Sequence, residues 1–270
     1  MVSQRAEEVR GGAGLSGQAG PTFLQIAAII RHEIEEGKLA GYLPTERELS
    51  ERFGVSRTTV RRALAASQED GLIGPSWGRG WYVASSPLSE PPNALLSFSE
   101  LAKRRGLTAR SKVLKVEERR ATLDEAEELQ VTPGSYLLVL ERLRLLNDVP
   151  TVVQSSHLPL ERLDGMPPAA ELDFENCSLY DLLQECCGVV AYQAHYVVEA
   201  RAAGERDASL LEIAPGSPLL CARQITFDPQ SKPIERHWSV YPHDRYRFEA
   251  TLKRPRPERP VGENGTRNKA

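Results

Sequence analysis

No run of apolar residues in this 270-residue chain approaches the roughly 20 needed to cross a bilayer; stretches such as Tyr136 to Leu140 are far shorter, and no membrane span is expected. The N-terminal stretch MVSQRAEEVRGGAGLSGQAGP has no continuous apolar core before a small-residue cleavage site, so it does not read as a secretory signal, and a cytoplasmic location is expected. Cysteine is scarce. Cys177, Cys186, Cys187 and Cys221 lack C-x-x-C spacing, and the adjacent pair Cys186 and Cys187 is poorly placed to staple distant segments. Reduced, mostly buried thiols are the expectation. The five histidines, His32, His157, His195, His237 and His243, show no H-x-x-x-H or comparable ligand spacing, so neither a metal nor a cofactor is expected. A surplus of positive charge is also missing, since the formal net charge is -3.

An apolar content of 40% can fill real cores, and the length suits two ordinary domains. Residues 1–20 are Gly-rich without periodicity, and residues 253–270 are charged, Pro-rich and poor in apolar groups. Disordered tails are expected over 1–20 and 251–270. The stretch SSPLSEPPN at 85–93 reads as a linker between an N-terminal unit, 21–84, and a C-terminal unit, 94–250.

In the first unit Phe23, Ile26, Ala27, Ile30 and Ile34 recur at helical spacing after Thr22, and Gly37 supplies a stop. In LPTERELSERFGV, Thr45 and Glu48 have the spacing of a capping box, in which hydroxyl and carboxylate satisfy each other's backbone donors. A second helix starts there. Gly54 allows a sharp turn, and Ser56 is positioned to cap a third helix, giving the pattern of a helix-turn-helix. On that third helix Val60, Ala63 and Leu64 share one side, while Thr58, Arg61, Arg62 and Ala65 take the other. The text GLIGPSWGRGWYVA gives two short strands around a Gly-rich turn, a wing beside the helices.

These residues carry a resemblance. LPTERELSERFGVSRTTVRRAL, followed by DGLI and GRGWYVA, is similar to the DNA-binding domain of GntR-family transcriptional regulators. Ser67 departs from it, standing where the family usually places a core leucine, and GPSW at 74–77 replaces a more polar approach to the wing tip. The resemblance implies Arg47, Ser56, Arg57, Thr58, Thr59, Arg61 and Arg79 as DNA contacts. Arg57 and Arg61 are the expected readers of base edges, because arginine can donate two hydrogen bonds to guanine. Eight basic and eight acidic residues make 21–84 formally neutral, yet 56–68 hold three arginines and no acid. Local potential within roughly 8–10 Å is what a phosphate senses, so the acidic total does not argue against DNA.

The second unit contains an internal echo: LQVTPGSYLL (129–138) matches LEIAPGSPLL (211–220) at an offset of 82, and Pro150 with Pro159 recurs as Pro233 with Pro242 at an offset of 83. Each copy reads as a short helix, a Pro-Gly turn and a two-stranded hairpin, the hairpins turning at Asn147-Asp148 and near Asp228-Pro229. Further strands are expected at Val113–Val116 and Val189–Val198, and a helix from Ser178 to Gly188. An antiparallel sheet with helices packed against it, an α+β domain, is the expected solution. The order of FSELAKRRGLTARSKVL, ERLRLLNDVPTVVQSSHLP, CSLYDLL and KPIERHWSVYPHDRYRF resembles the UTRA ligand-sensing domain of the HutC-type GntR branch, a fold similar to chorismate lyase.

Arg142 and Arg144, two apart on a strand, point to one face and form a candidate clamp for phosphate or carboxylate. Their bland alternative is pairing with Glu141 or Asp148. A turn over Asn147 to Val149 would set Gln154 opposite Arg142, with a one-residue slip reversing its face. Ser178, with Asp181 three residues on, can cap a helix whose free N–H groups also favour an anion. The resemblance adds Glu235 and Tyr241 to the pocket, and implies that Gln154 replaces a glutamate common in members that bind amino-sugar phosphates. The reading is a homodimeric regulator, in the sense of a repressor, on a near-palindromic double-stranded operator, controlled by a small anionic effector such as a sugar phosphate or carboxylate. A rival is an enzyme using His195, Glu235 and Asp181 as acid or base, although no nucleophile-base-orienter set has legible spacing.

Overall fold

The computed structural model describes residues 22–84, 88–90 and 94–250, so the two expected tails and most of the expected linker lie outside the described residues. Three helices open the chain: α1 (Thr22–Glu35), α2 (Glu46–Phe53) and α3 (Arg57–Glu69). Ile26 and Ile30 of α1, Leu49 of α2 and Val60 and Leu64 of α3 are fully buried against one another. Each such side chain contributes roughly 1.5–3 kcal/mol by leaving water. The α2 start has the expected reciprocal cap between Thr45 and Glu48, and Gly54 ends that helix in the left-handed region, φ 64°, which a residue with a Cβ rarely adopts. Ser56 then caps α3, its hydroxyl accepting from the Thr59 amide at 3.2 Å. Ser67 is completely buried and donates to the Ala63 carbonyl at 3.1 Å, so the small polar residue is satisfied within its own helix. Strands β1 (Ile73–Ser76) and β2 (Gly80–Val83) pair antiparallel as the wing.

Within the stretch expected as a linker, β3 (Leu88–Glu90) pairs in parallel with the last described strand, Tyr246–Phe248, and Leu88 is buried. A Ser/Pro composition carries no periodic signal for so short a strand. The second unit then runs α4 (Phe98–Arg104), β4 (Ala109–Arg120), α5 (Leu123–Leu129), β5 (Tyr136–Leu146), β6 (Val149–Pro159), α6 (Leu179–Cys187), β7 (Gln193–Ala202), α7 (Glu205–Leu211), β8 (Pro218–Phe227), β9 (Pro233–Pro242) and β10 (Tyr246–Phe248). The six-stranded antiparallel sheet has the order β4-β5-β6-β9-β8-β7, so the two echoed hairpins meet at the β6-β9 seam. Asn147 and Asp148 both have positive φ, as a two-residue hairpin turn requires. In the second hairpin the Asp228 carboxylate accepts from the Gln230 and Lys232 amides and shapes the turn.

Alternation along β5 decides what lies on each face. Leu138 and Leu140 pack toward α6, whereas Leu137 and Val139 pack toward α5 and Leu143 toward α7. Three expectations need correction. β4 is longer than Val113–Val116, because an edge strand tolerates the charged alternation of ARSKVLKVEERR. β7 is displaced from Val189–Val198 to Gln193–Ala202, since α6 continues to Cys187 and a connector follows. The four thiols are free, and all are half-buried rather than buried, sitting in the last turn of α6, in the loop before it and on β8.

Candidate functional sites

The α3 N-terminus presents Ser56, Arg57, Thr58 and Arg61 to solvent, with Thr59 half-buried because its hydroxyl meets that of Ser56 at 2.9 Å. Arg57 is exposed. Arg61 is held by Glu46 of α2 at 2.7 Å, and Arg62 lies over the Phe23 ring, its guanidinium 4.2 Å from the centroid. Arg47, on the exposed side of α2, faces Glu51 at 3.9 Å. These ion pairs are exposed and contribute little, so they cost little to exchange for phosphate contacts. Arg79 stands apart from this face, because its guanidinium donates to Glu212 of the second unit at 2.9 Å.

The second site is a cavity of about 400 Å³ between the sheet, α4 and α6, a size suited to a small metabolite. All six expected effector residues line it: Arg142, Arg144, Gln154, Ser178, Glu235 and Tyr241. Arg142 and Arg144 are only 4% and 3% exposed, which makes their surroundings decisive. The bland alternative for them fails: Glu141 pairs with Arg206 and Asp148 with Arg110. Arg142 donates to the Phe174 and Cys177 carbonyls at 3.3 and 3.4 Å; Arg144 donates to the Ser99 hydroxyl at 3.0 Å and lies over the Phe98 ring. The Arg144 Nε is buried with no hydrogen-bond partner. Burial pushes the Arg142 guanidinium down to about 10, partly offset by Glu235, and burial with the like charge of Arg142 pushes Arg144 down to about 9.

Gln154 lies opposite Arg142 in the sheet and opposite Ser239 on the other side, as expected, but the pairing arises from a two-residue turn followed by a bulge at Thr151 rather than from a turn over 147–149. Ser178 occupies the N-cap position of α6, but its hydroxyl makes no capping bond and is buried without a partner; Asp181 is exposed. The expected cap is therefore absent, although Ser178 does line the cavity. Glu235, 1% exposed, is occupied by the protein itself: Tyr180 and Thr226 donate to Oε2 at 3.0 and 3.1 Å, and His237 Nδ1 is 3.4 Å from Oε1. Burial raises its carboxyl, but His237 and the hydroxyls of Ser156 and Tyr180 outweigh that and hold it at about 2. A carboxylate so engaged orients the side chains around it. Tyr241 stacks on Tyr246 with centroids 4.0 Å apart.

Ser156, Tyr180, Gln224, His237 and Ser239 also line the cavity and escaped sequence reasoning. The signal was present in β9, where Glu235, His237, Ser239 and Tyr241 alternate on one face. The rival trio is not assembled: of His195, Asp181 and Glu235, only Glu235 borders the cavity, and the other two are exposed. A serine-histidine-glutamate relay does occur elsewhere, with Ser155 Oγ 3.1 Å from His157 Nε2 and His157 Nδ1 2.6 Å from Glu125. None of the three lines the cavity, and Glu125 is shared with Arg119, which donates to both of its oxygens.

A winged helix with a basic recognition helix, joined to an antiparallel sheet domain with a buried cationic pocket, defines a DNA-binding protein with a ligand-binding module. Residues 22–83 match the bacterial regulatory proteins of the gntR family, and residues 104–247 match the UTRA domain. The chain belongs to the GntR family of transcriptional regulators. It is 33% identical over 234 residues to the HTH-type transcriptional repressor NagR of Bacillus subtilis (strain 168), covering 84% of this chain and 93% of that one. Identity to the probable transcriptional regulator PhnF of Escherichia coli (strain K12) is 31% over 228 residues, with coverage of 84% and 93%. The crystal structure of PhnF from Mycobacterium smegmatis superimposes with a TM-score of 0.60 at 27% identity, covering 84% of this chain and 99% of that chain.

Proposed function

We propose that the chain is a cytoplasmic, homodimeric repressor without enzymatic activity, whose operator binding is relieved by a small anionic metabolite. In this reading residues 21–84 form the DNA-binding unit and 94–250 the effector unit. Ser56, Arg57, Thr58, Thr59 and Arg61 enter the major groove of a near-palindromic half-site, while Arg47 and Arg79 hold phosphates. One observation carries the effector assignment: two guanidiniums are buried side by side on β5 without an ion pair among the described residues, and Glu235 offsets only part of the charge of Arg142. A buried charge without a counterion is costly, and an anionic ligand removes that cost on binding. The clamp fits a phosphate or a carboxylate, and the unpartnered Ser178 hydroxyl supplies a further donor to it. Gln154, His237, Ser239 and Gln224 offer both donors and acceptors to the rest of the ligand, which suits the hydroxyl groups of a sugar better than an apolar body. The NagR relative is named a repressor, which supports the same sign here.

A thermal-shift screen of sugar phosphates and small carboxylates tests this reading, followed by operator binding in the presence of each hit. Stabilisation by an anion together with loss of operator binding is the expected result. Turnover of the bound ligand, or stabilisation by neutral sugars alone, would refute it.

A further inference from the structure

Glu212, at the C-cap of α7 in the effector unit, takes a left-handed backbone, φ 53°, and gathers donors from the DNA-binding unit. Ser76 donates to its Oε2 at 2.9 Å, Arg79 Nη1 to its Oε1 at 2.9 Å, and the Tyr42 hydroxyl also donates to Oε2. The Trp77 amide donates to the Glu212 carbonyl at 2.9 Å. Arg79 is sandwiched further, lying over the Tyr42 ring at 4.2 Å. Beside this cluster the Tyr82 hydroxyl donates to Asp244 at 2.6 Å and accepts from Arg245 Nε at 3.3 Å. Gly41 comes so close to the Asn147 turn that a Cβ there would sit 2.5 Å from the Asn147 carbonyl oxygen.

The internal echo supplies a control within the same chain. Gln130 occupies the equivalent place in the first copy, also at φ 53° after α5. Its carbonyl accepts from Arg162 of the effector unit at 2.8 Å, and no wing approaches it. The repeat thus builds the same left-handed corner twice, and the copy that meets the wing is the one carrying a carboxylate. A carboxylate with three side-chain donors from one surface is a built receptor rather than a chance surface pair.

We propose that Glu212 is a docking receptor for the wing and that it holds Arg79 away from DNA, so that operator binding requires release of this contact. The proposal rests on the DNA-binding reading above. One guanidinium edge cannot serve Glu212 and a phosphate together, and an acid beside the wing tip repels the phosphate backbone. Burial raises the Glu212 carboxyl, but the bonds from Tyr42, Arg79 and Ser76 outweigh it and keep the group below its ordinary range. The receptor is therefore anionic at neutral pH.

The test uses the full chain, a labelled random-sequence duplex at fixed low salt, and the variants Glu212→Ala, Arg79→Ala and both together. Glu212→Ala is expected to bind the duplex about 3- to 10-fold more tightly, the size of one added phosphate contact, and this gain is expected to vanish in the Arg79→Ala background. Equal affinity of Glu212→Ala and the parent, or a full gain without Arg79, would overturn the proposal. Hydrogen exchange without DNA reads the docking itself. The Trp77 amide is expected to exchange faster in Glu212→Ala while β5 and β6 stay protected, and unchanged Trp77 exchange would also overturn it. Absence of any duplex binding by parent and Glu212→Ala alike, with Trp77 exchange faster in the variant, would instead refute the DNA-binding reading and with it the competition.

Discussion

Replacing Arg144 by Met is expected to make the ligand-free protein more stable and unresponsive to its effector. Burial and the neighbouring Arg142 hold the Arg144 guanidinium at about 9 against an ordinary 12.5, which at about 1.4 kcal/mol per tenfold corresponds to a penalty of roughly 4–5 kcal/mol on the charged form. Against this stand the hydrogen bond to Ser99 and the face of Phe98, together about 1–3 kcal/mol. Methionine has a comparable length and no charge, so the ligand-free protein should gain about 1–3 kcal/mol. For a chain of this size that corresponds to a rise of roughly 3–10 °C in melting temperature. The effector, identified by its stabilisation of the parent protein, should lose at least about tenfold in affinity, because a charge-assisted hydrogen bond is worth roughly 1.5–3 kcal/mol. Differential scanning fluorimetry, with and without that ligand, reads both effects. A variant that melts lower than the parent and still shifts with ligand would refute the reasoning, since Arg144 would then be a structural residue.

Arg57→Ala with Arg61→Ala should weaken binding to the operator by about 10- to 100-fold at fixed salt and flatten the salt dependence, whereas equal affinity in a gel shift would remove α3 from the interface. Glu125→Gln should destabilise the effector unit by about 2–4 kcal/mol, because the group is buried and takes bonds from Arg119, His157 and the Thr122 amide. The Arg119 guanidinium, working against burial, holds the Glu125 carboxyl far below its ordinary value. Its contribution is therefore complete above about pH 4.5 and lost as the pH falls toward the depressed value, so urea midpoints of parent and variant should converge in acid. Gly41→Ala should loosen the two units, because φ is +66° and the added Cβ meets the Asn147 carbonyl. Its expected readout is faster hydrogen exchange at the Trp77 amide, with the exchange of β5 and β6 unchanged.

Much of the fold was legible because its punctuation is local. The Thr45 and Glu48 cap, the left-handed Gly54 and the Asn147-Asp148 turn each act over a few residues, and a reader of the chain meets all their parts together. β3 and the length of β4 were illegible for the opposite reason: both are edge pairings whose residues acquire strand character from a partner remote in sequence. The effector pocket was half legible. Arg142 and Arg144 announce themselves by spacing on a strand, whereas Gln154 comes opposite Arg142 only through the bulge at Thr151 that follows the two-residue turn. Ser156 and Tyr180, ordinary residues in the chain, join the pocket through the β6-β9 seam and the docking of α6.

The sequence by itself determined the two units, the capped recognition helix with its arginines, and the face on which the second arginine pair lies. All of these follow from periods of two and 3.6 residues and from caps that close within one turn. Only the tertiary structure decided which charges have partners. Arg61 is matched by Glu46 and Arg79 by Glu212, Glu235 is filled by Tyr180, Thr226 and His237, and Arg142 and Arg144 lie buried on backbone carbonyls and the Ser99 hydroxyl without an ion pair among the described residues. The physical reason is that the free energy of a charge depends on what lies within a few ångströms of it and on how much water is excluded there. Neither quantity is set by neighbours along the chain.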